Sequence, residues 1–309
     1  MAQVTAQQVK ELRERTQAGM TDCKNALVEA EGDMDKAVEI ILKKGLAKSA
    51  KRASAAATEG DIRTFVSPDG RWGVMVEINI QTDFASRNEK FVEFVNNVLE
   101  IAKKAKVGDD LNQAEYVAGK TVMQVRDELI AQIGEKIEVR RFVRLELQSP
   151  AGRIHTYRHM NGKVGVLLET ATDSDRTSGH EAFMKFIDDT SMQAAAMSPL
   201  YVHRGEVPEA DLAKQKEIYE AQLREENKPE KAWPKIIEGK VNKWYTEICL
   251  VDQDSVIENG KSVDQIRAEA AKASEGEIKL VRFSRWQLGE GIQKRVDDFA
   301  EEARKMAGG

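Results

Sequence analysis

Over the first 45 residues apolar side chains return at helical spacing: Val9 and Leu12, then Met20, Cys23, Ala26 and Leu27, then Met34, Val38, Ile41 and Leu42. Thr5 and Asp33 stand where helix N-caps belong, Gly19 and Gly32 where helices break, and Gly45 where the last would stop. Residues 1–45 are therefore expected to form a three-helix domain whose small core leaves much of its surface for a partner. Residues 46–60 carry almost no bulky apolar side chain, and their Ala, Lys and Ser content reads as a linker, partly helical.

Beyond Gly60 the period shortens to that of strands and turns, and the pattern then repeats itself. At a shift of 92, Gly70, Gly73, Val74, Glu77, Thr82, Asp83, Phe91 and Phe94 fall on Gly162, Gly165, Val166, Glu169, Ser174, Asp175, Phe183 and Phe186 without a gap. Later the shift is 141: Thr121 to Arg126 meets Ser262 to Arg267, and Phe142 meets Phe283, so the second copy has gained the difference, 49 residues. Each copy reads as strand, Gly-containing turn, strand, long helix, second helix and returning strand. The expected class is α+β, with a duplicated core in which segments 88–106 and 177–196 supply helices to cover strands such as Val74 to Ile80 and Val164 to Thr170. Two small sheets or one joined sheet fit equally.

The extra residues carry two helical patterns either side of Asn227-Lys228-Pro229-Glu230, with Leu212, Tyr219 and Leu223 on one arm and Trp233, Ile237, Val241 and Trp244 on the other. A protruding antiparallel coiled-coil hairpin is expected, an αα corner packed on the core being the alternative. A last amphipathic helix is expected from about Gly289 to Met306. The resulting division is residues 1–45, a linker over 46–60, core subdomains at 61–148 and at 149–198 with 246–286, the hairpin at 199–245, and a C-terminal helical module at 287–309.

Composition narrows the chemistry. The 309 residues hold 47 basic and 52 acidic side chains mixed along the chain, a net charge of −5, so no extended field of one sign is offered to a nucleic acid. The basic run Lys43, Lys44, Lys48, Lys51 and Arg52 has no interleaved aromatic residue and reads as a solvated face. Cys23 and Cys249 make no C-x-x-C site and suit a reducing compartment. With no leader-like start and no long apolar run, a cytoplasmic protein without membrane contact is expected. His155, His159, His180 and His203 form no metal-ligand spacing, and no phosphate loop or nucleophile elbow is present. Metal-dependent hydrolysis through Asp83 with Glu77 or Asp175 has no supporting motif. No metal, cofactor or catalytic residue is expected.

What stands out is the junction Gln81-Thr82-Asp83-Phe84-Ala85-Ser86-Arg87 between a strand and a helix. Either Thr82 or Asp83 suits the cap, and an aromatic at the next position would ordinarily be a staple residue buried beside it. In the second copy the cap-like pair persists as Ser174-Asp175, whereas Arg176 replaces Phe84. The unit does not require an apolar side chain there, so Phe84 is expected at an exposed tip, where an aromatic group serves as an anchor in another protein.

Several segments carry a family resemblance: Leu12 to Thr16, Ala18-Gly19-Met20, Asp22-Cys23-Lys24, Thr82-Asp83-Phe84, Ile133-Gly134-Glu135 and Gly289-Glu290-Gly291-Ile292. Over essentially its whole length the chain resembles the bacterial translation elongation factor Ts family, departing from the usual pattern at Ile80 and Ser86. The resemblance implies a ubiquitin-associated-like N-terminal domain and guanine-nucleotide exchange on elongation factor Tu, with GDP, GTP and magnesium belonging to that partner. Carried over by position, Thr82, Asp83, Phe84 and Ala85 form the tip that dislodges the partner's magnesium. Arg13, Met20, Lys24, Ile133 and Gly134 match further contacts with Tu, as do His159, Val256 and Ile257 on the second core half. Self-association through the hairpin is known in some members and is left open here.

Overall fold

The structure is a computed structural model and describes residues 4–16, 18–52 and 56–293. It combines helices with small sheets, an α+β arrangement.

Helices α1 (Ala6–Thr16), α2 (Met20–Glu29) and α3 (Met34–Arg52) bury Leu12, Cys23, Ala26, Leu27 and Ala37 completely against one another. Thr5 caps α1 in a capping box, its hydroxyl accepting from Gln8 N (3.2 Å) while Gln8 Oε1 accepts from Thr5 N (3.0 Å). Asp33 accepts from the amides of Asp35 and Lys36, both at 3.1 Å, at the head of α3. Two expectations fail. Gly45 does not stop α3, which runs on through residues 46–52 of the expected linker and lies alongside α6 (Val122–Ile133). A glycine ends a helix only where the chain turns left-handed; here Ala, Leu and Lys follow with no proline, and continuing costs only about 1 kcal/mol at the glycine. Met20, counted with the core, is 53% exposed although it points to the same side as Leu27, because it is the first residue of α2, one turn ahead of the buried Cys23, Ala26 and Leu27.

The first repeat is β1 (Glu59–Val66), β2 (Trp72–Ile80), a single turn α4 (Asp83–Ser86), α5 (Glu89–Lys104), the small hairpin β3 (Glu115–Val117) and β4 (Lys120–Thr121), α6, and β5 (Ile137–Glu146). The second is β6 (Ala151–His159), β7 (Val164–Thr172), a single turn α7 (Asp175–Ser178), α8 (Glu181–Met197), α9 (Glu209–Glu225), α10 (Trp233–Ile248), α11 (Val263–Ala273) and β8 (Ile278–Gln287). The sheets have matching orders, β1-β2-β5 and β6-β7-β8. β6 and β7 pair antiparallel from Ala151 against Thr172 to His159 against Val164.

The duplication extends to local devices. Thr82 and Ser174 cap the single turns, Asn88 and His180 cap the long helices, and capping boxes Thr121/Gln124 and Ser262/Gln265 open α6 and α11. Gly60 and Gly152 have φ of 132° and 137°, and a Cβ on either would lie 2.0 or 2.1 Å from a carbonyl oxygen of the neighbouring strand, so only glycine fits. On α8, Phe183, Phe186 and Ile187 cover Val164, Val166 and Leu168 of β7 in one core.

The chain divides into two compact units that are not the sequence halves: Met1–Arg63, Val76–Phe142 and Gln287–Gly309 form one, Thr64–Met75 and Val143–Trp286 the other. Buried carboxylates show how each unit recruits chain from outside its own repeat. Glu77, wholly buried in the first unit, accepts from Arg140 (2.9 Å), Arg141 and the amide of Gly289 (2.8 Å). Its counterpart Glu169, equally buried in the second, accepts from Arg282 (2.6 Å) and the amide of Gln148 (3.0 Å). Arg141 and Arg282, like Gln148 and Gly289, are related by the 141-residue shift. Each glutamate therefore takes one bond from the amide that follows the other repeat's return strand.

In the inserted segment α9 and α10 pack together around Leu223 and Val241, which are buried, with Leu212, Tyr219, Trp233, Ile237 and Trp244 half-buried along the seam. Lys240 lies over the Tyr219 ring at 5.3 Å and Arg224 over Trp233 at 5.7 Å, closing the seam from its edges. After β8, residues 288–293 are turn and irregular chain; the helix expected from Gly289 to Met306 otherwise lies outside the described residues.

Candidate functional site

The junction after β2 is tied to the residues just before β5 by two side chains, Gln81 reaching out from it and Glu135 reaching in. Gln81 Oε1 accepts from Lys136 N at 2.7 Å. Thr82, extended at φ −121° and ψ 153°, donates from its amide to Glu135 Oε2 (3.0 Å) and from its hydroxyl to Glu135 Oε1 (2.8 Å). The same hydroxyl accepts from Ala85 N at 3.2 Å, so Thr82 is the cap of α4. Asp83 is the first residue of the turn and not its cap. Its carboxylate lies 3.4 Å from Arg87 in an exposed ion pair too weak to hold it against a partner's group, while its carbonyl accepts from Ser86 Oγ at 2.7 Å.

Phe84 is 82% exposed, the most exposed large apolar side chain among the described residues. Ala85 and Ser86 are half-buried beneath it. At the end of α6, Ile133 is half-buried and Gly134 is exposed in the left-handed conformation (φ 82°), donating to Ile130 O at 2.8 Å. Through Glu135 and Lys136 the structure thus brings Ile133 and Gly134 up to Thr82-Asp83-Phe84-Ala85. The sequence motif Ile133-Gly134-Glu135 contained this link, but spacing alone does not reveal that its carboxylate reaches a residue 53 positions earlier.

On α1 and α2 of the same unit Arg13, Met20 and Lys24 are all exposed, and Val28, 54% exposed, extends that face by one turn. His159, Val256 and Ile257 belong to the other unit. The His159 ring is exposed, stacks on Tyr157 at 5.9 Å and places Nδ1 3.1 Å from its hydroxyl. Val256 and Ile257 are 45% and 38% exposed on a loop held by buried Gln193, which accepts from Val256 N at 2.8 Å and donates to Gln253 and to Asp254 O, each at 3.1 Å. Gln193 was not singled out from sequence; a lone buried glutamine leaves no pattern there.

Other groups are engaged structurally. Glu77 is locked by its arginines, and among the described residues no three His, Cys, Asp or Glu side chains are grouped to hold a metal ion. Lys43 pairs with Glu39 at 2.6 Å and Lys44 with Glu29; the side chains of Lys48, Lys51 and Arg52 lie outside the described residues. His155 Nε2 meets Asp188 at 3.3 Å, and burial holds its pKa below the usual value. No helix among the described residues is long and apolar enough to cross a membrane. Burial pushes the Cys249 thiol up to about 11, which keeps it protonated. At pH 7.5 a chromogenic disulfide reagent is expected to modify Cys249 at least about a hundredfold more slowly in the native protein than in urea; comparable rates would contradict its burial.

Residues 81–290 match the family model described as elongation factor TS. The chain is 42% identical over 307 residues to elongation factor Ts of Clostridium perfringens (strain SM101 / Type A), covering 99% of each chain. It is 42% identical over 309 residues to elongation factor Ts of Trichlorobacter lovleyi, again over 99% of each. Identity to the elongation factor Ts of Symbiobacterium thermophilum is 41% over 308 residues, covering 100% of this chain and 99% of that one.

Proposed function

Because this chain belongs to the elongation factor Ts family, whose members are nucleotide exchange factors of translation elongation, we propose that it binds elongation factor Tu carrying GDP and drives GDP release by inserting Asp83 and Phe84. The observation that carries this reading is Phe84, standing 82% exposed on a turn whose base is tied to Glu135. A monomer gains nothing from that exposure, whereas a partner that buries the ring gains roughly 1.5 to 3 kcal/mol.

The mechanism needs no covalent step. Thr82 and Ala85 hold the turn, Phe84 enters between elements of the GTPase domain, and Asp83, released from Arg87, competes for groups that order the partner's magnesium site. If Tu cannot hold magnesium-GDP and the inserted tip equally well together, each weakens the other by the same factor, and GTP can bind when GDP has left. The ring alone supplies one or two decades at about 1.4 kcal/mol per decade, so a wider grip is required. Arg13, Met20 and Lys24 supply it on the N-terminal helices, read as a ubiquitin-associated-like module, with Ile133 and Gly134 beside the tip. His159, Val256 and Ile257 supply contacts from the second unit. We read α9 and α10 as a coiled-coil hairpin available for self-association, and the protein as cytoplasmic, with no cofactor of its own and no direct nucleic-acid partner.

The deciding experiment is release of fluorescent GDP from purified Tu with and without this protein: a strong acceleration is expected, and none would overturn the proposal. Lys24→Ala is expected to weaken binding to Tu severalfold, since an exposed cation meeting an acidic or carbonyl group contributes about 1 kcal/mol. Titration by calorimetry checks this, and an unaltered dissociation constant would remove Lys24 from the interface.

A further inference from the structure

We infer that Glu135 is a positioning residue for the tip: bridging the amide and hydroxyl of Thr82, its carboxylate sets the direction in which Phe84 is presented. The inference rests on Phe84 being the working group. A single helical turn such as α4 is too short to maintain its own direction, because nucleation costs more than one turn of hydrogen bonds returns. Its orientation has to be imposed from outside. Glu135 does so at two points, 3.0 Å from Thr82 N and 2.8 Å from Thr82 Oγ1, and a charged acceptor makes both bonds stronger than neutral ones. With the hydroxyl proton committed to Glu135, a lone pair of that oxygen is left for Ala85 N at 3.2 Å. The carboxylate therefore fixes both the base of the turn and the polarity of its cap.

The second repeat acts as an internal control. Ser174 still caps its turn, accepting from Thr177 N at 3.3 Å, but the counterpart of Glu135 is Gly276. There a Cβ would lie 2.1 Å from Thr177 Oγ1 and 2.7 Å from Asp173 Oδ1, so no side chain can reach the cap from that position. Arg176, in the place of Phe84, instead pairs at 2.6 Å with Glu275, in the place of Gly134. That loop carries an exposed ion pair where the first carries an aromatic ring. In the first repeat the side chain at 134 is absent and the carboxylate stands one residue later, gripping the base of the turn and leaving the ring free. The clamp and the projecting aromatic occur in the same copy, and both are missing from the other.

In hydrogen–deuterium exchange Glu135→Ala is expected to expose the Ala85 amide severalfold faster, a readout independent of Tu. In GDP release it is expected to cost about fivefold, the worth of a helix cap, with Glu135→Gln intermediate because it retains one acceptor. Added to Phe84→Ala, the same substitution is expected to cost less than twofold, since there is no ring left to position. An undiminished fivefold loss on that background, or an unchanged Ala85 amide, would overturn the positioning role even if Phe84→Ala alone slows release. If Phe84→Ala alone leaves release unchanged, the wedge reading itself fails and the positioning role with it.

Discussion

Phe84→Ala is expected to slow Tu-dependent GDP release by about tenfold to a hundredfold while leaving the protein as stable as before. The size follows from the burial of one phenyl ring, roughly 1.5 to 3 kcal/mol, if that burial exists only in the complex that has loosened GDP. The absence of a stability cost follows from the ring's 82% exposure: truncation removes almost no contact from the free protein. The two halves of the expectation are measured separately, by stopped-flow release of fluorescent GDP and by the urea midpoint. Phe84→Leu, which keeps apolar volume without the ring, is expected to fall between. Unchanged release by Phe84→Ala would sink the wedge, and a lowered urea midpoint would show that the ring supports the fold after all.

Arg282→Ala should give the opposite profile, with the urea midpoint of the free protein falling by an amount equivalent to about 3 kcal/mol. Glu169 is wholly buried and is neutralised by Arg282, so the substitution leaves a buried carboxylate with the Gln148 amide but without its cation. The loss is at the low end for broken buried pairs because Arg282 itself is 41% exposed and water can enter where it stood. Arg141→Ala should cost less, because Glu77 retains Arg140 and the Gly289 amide. Glu169→Gln should also be milder, since it removes the charge that needs a partner. Equal effects of Arg282→Ala and Arg141→Ala would show that the spare arginine at Glu77 contributes nothing.

These two sites differ in how far the chain announced them. The tip was legible because the duplication compares one loop with itself: cap residues persist at Ser174-Asp175, while Phe84 gives way to Arg176. An aromatic that the scaffold does not need in one copy is free to be exposed in the other. The buried pairs were half legible. Glu77 and Glu169 matched under the shift, yet their partners lie 64 and 113 positions away, and nothing in local spacing marks which of many arginines turns inward. The extent of α3 is not legible at Gly45, since a glycine signals a stop only if the following chain turns away, and that depends on what lies beside the helix.

By itself, then, the sequence determined what is local or repeated: helix and strand periods, caps at Thr5 and Asp33, the internal repeat, and the place of the inserted residues. Those features are set by interactions within a few residues, or by a pattern that occurs twice and can be read against itself. Tertiary structure alone decided which distant groups meet. It placed Glu135 across Thr82, gave the amides of Gly289 and Gln148 to the buried glutamates of the opposite repeats, and put Met20 outside the core. The reason is that a hydrogen bond between residues 53 or 212 positions apart depends on chain paths that no local periodicity encodes. For the tip, the sequence supplied the aromatic, and the fold supplied the carboxylate that holds its base.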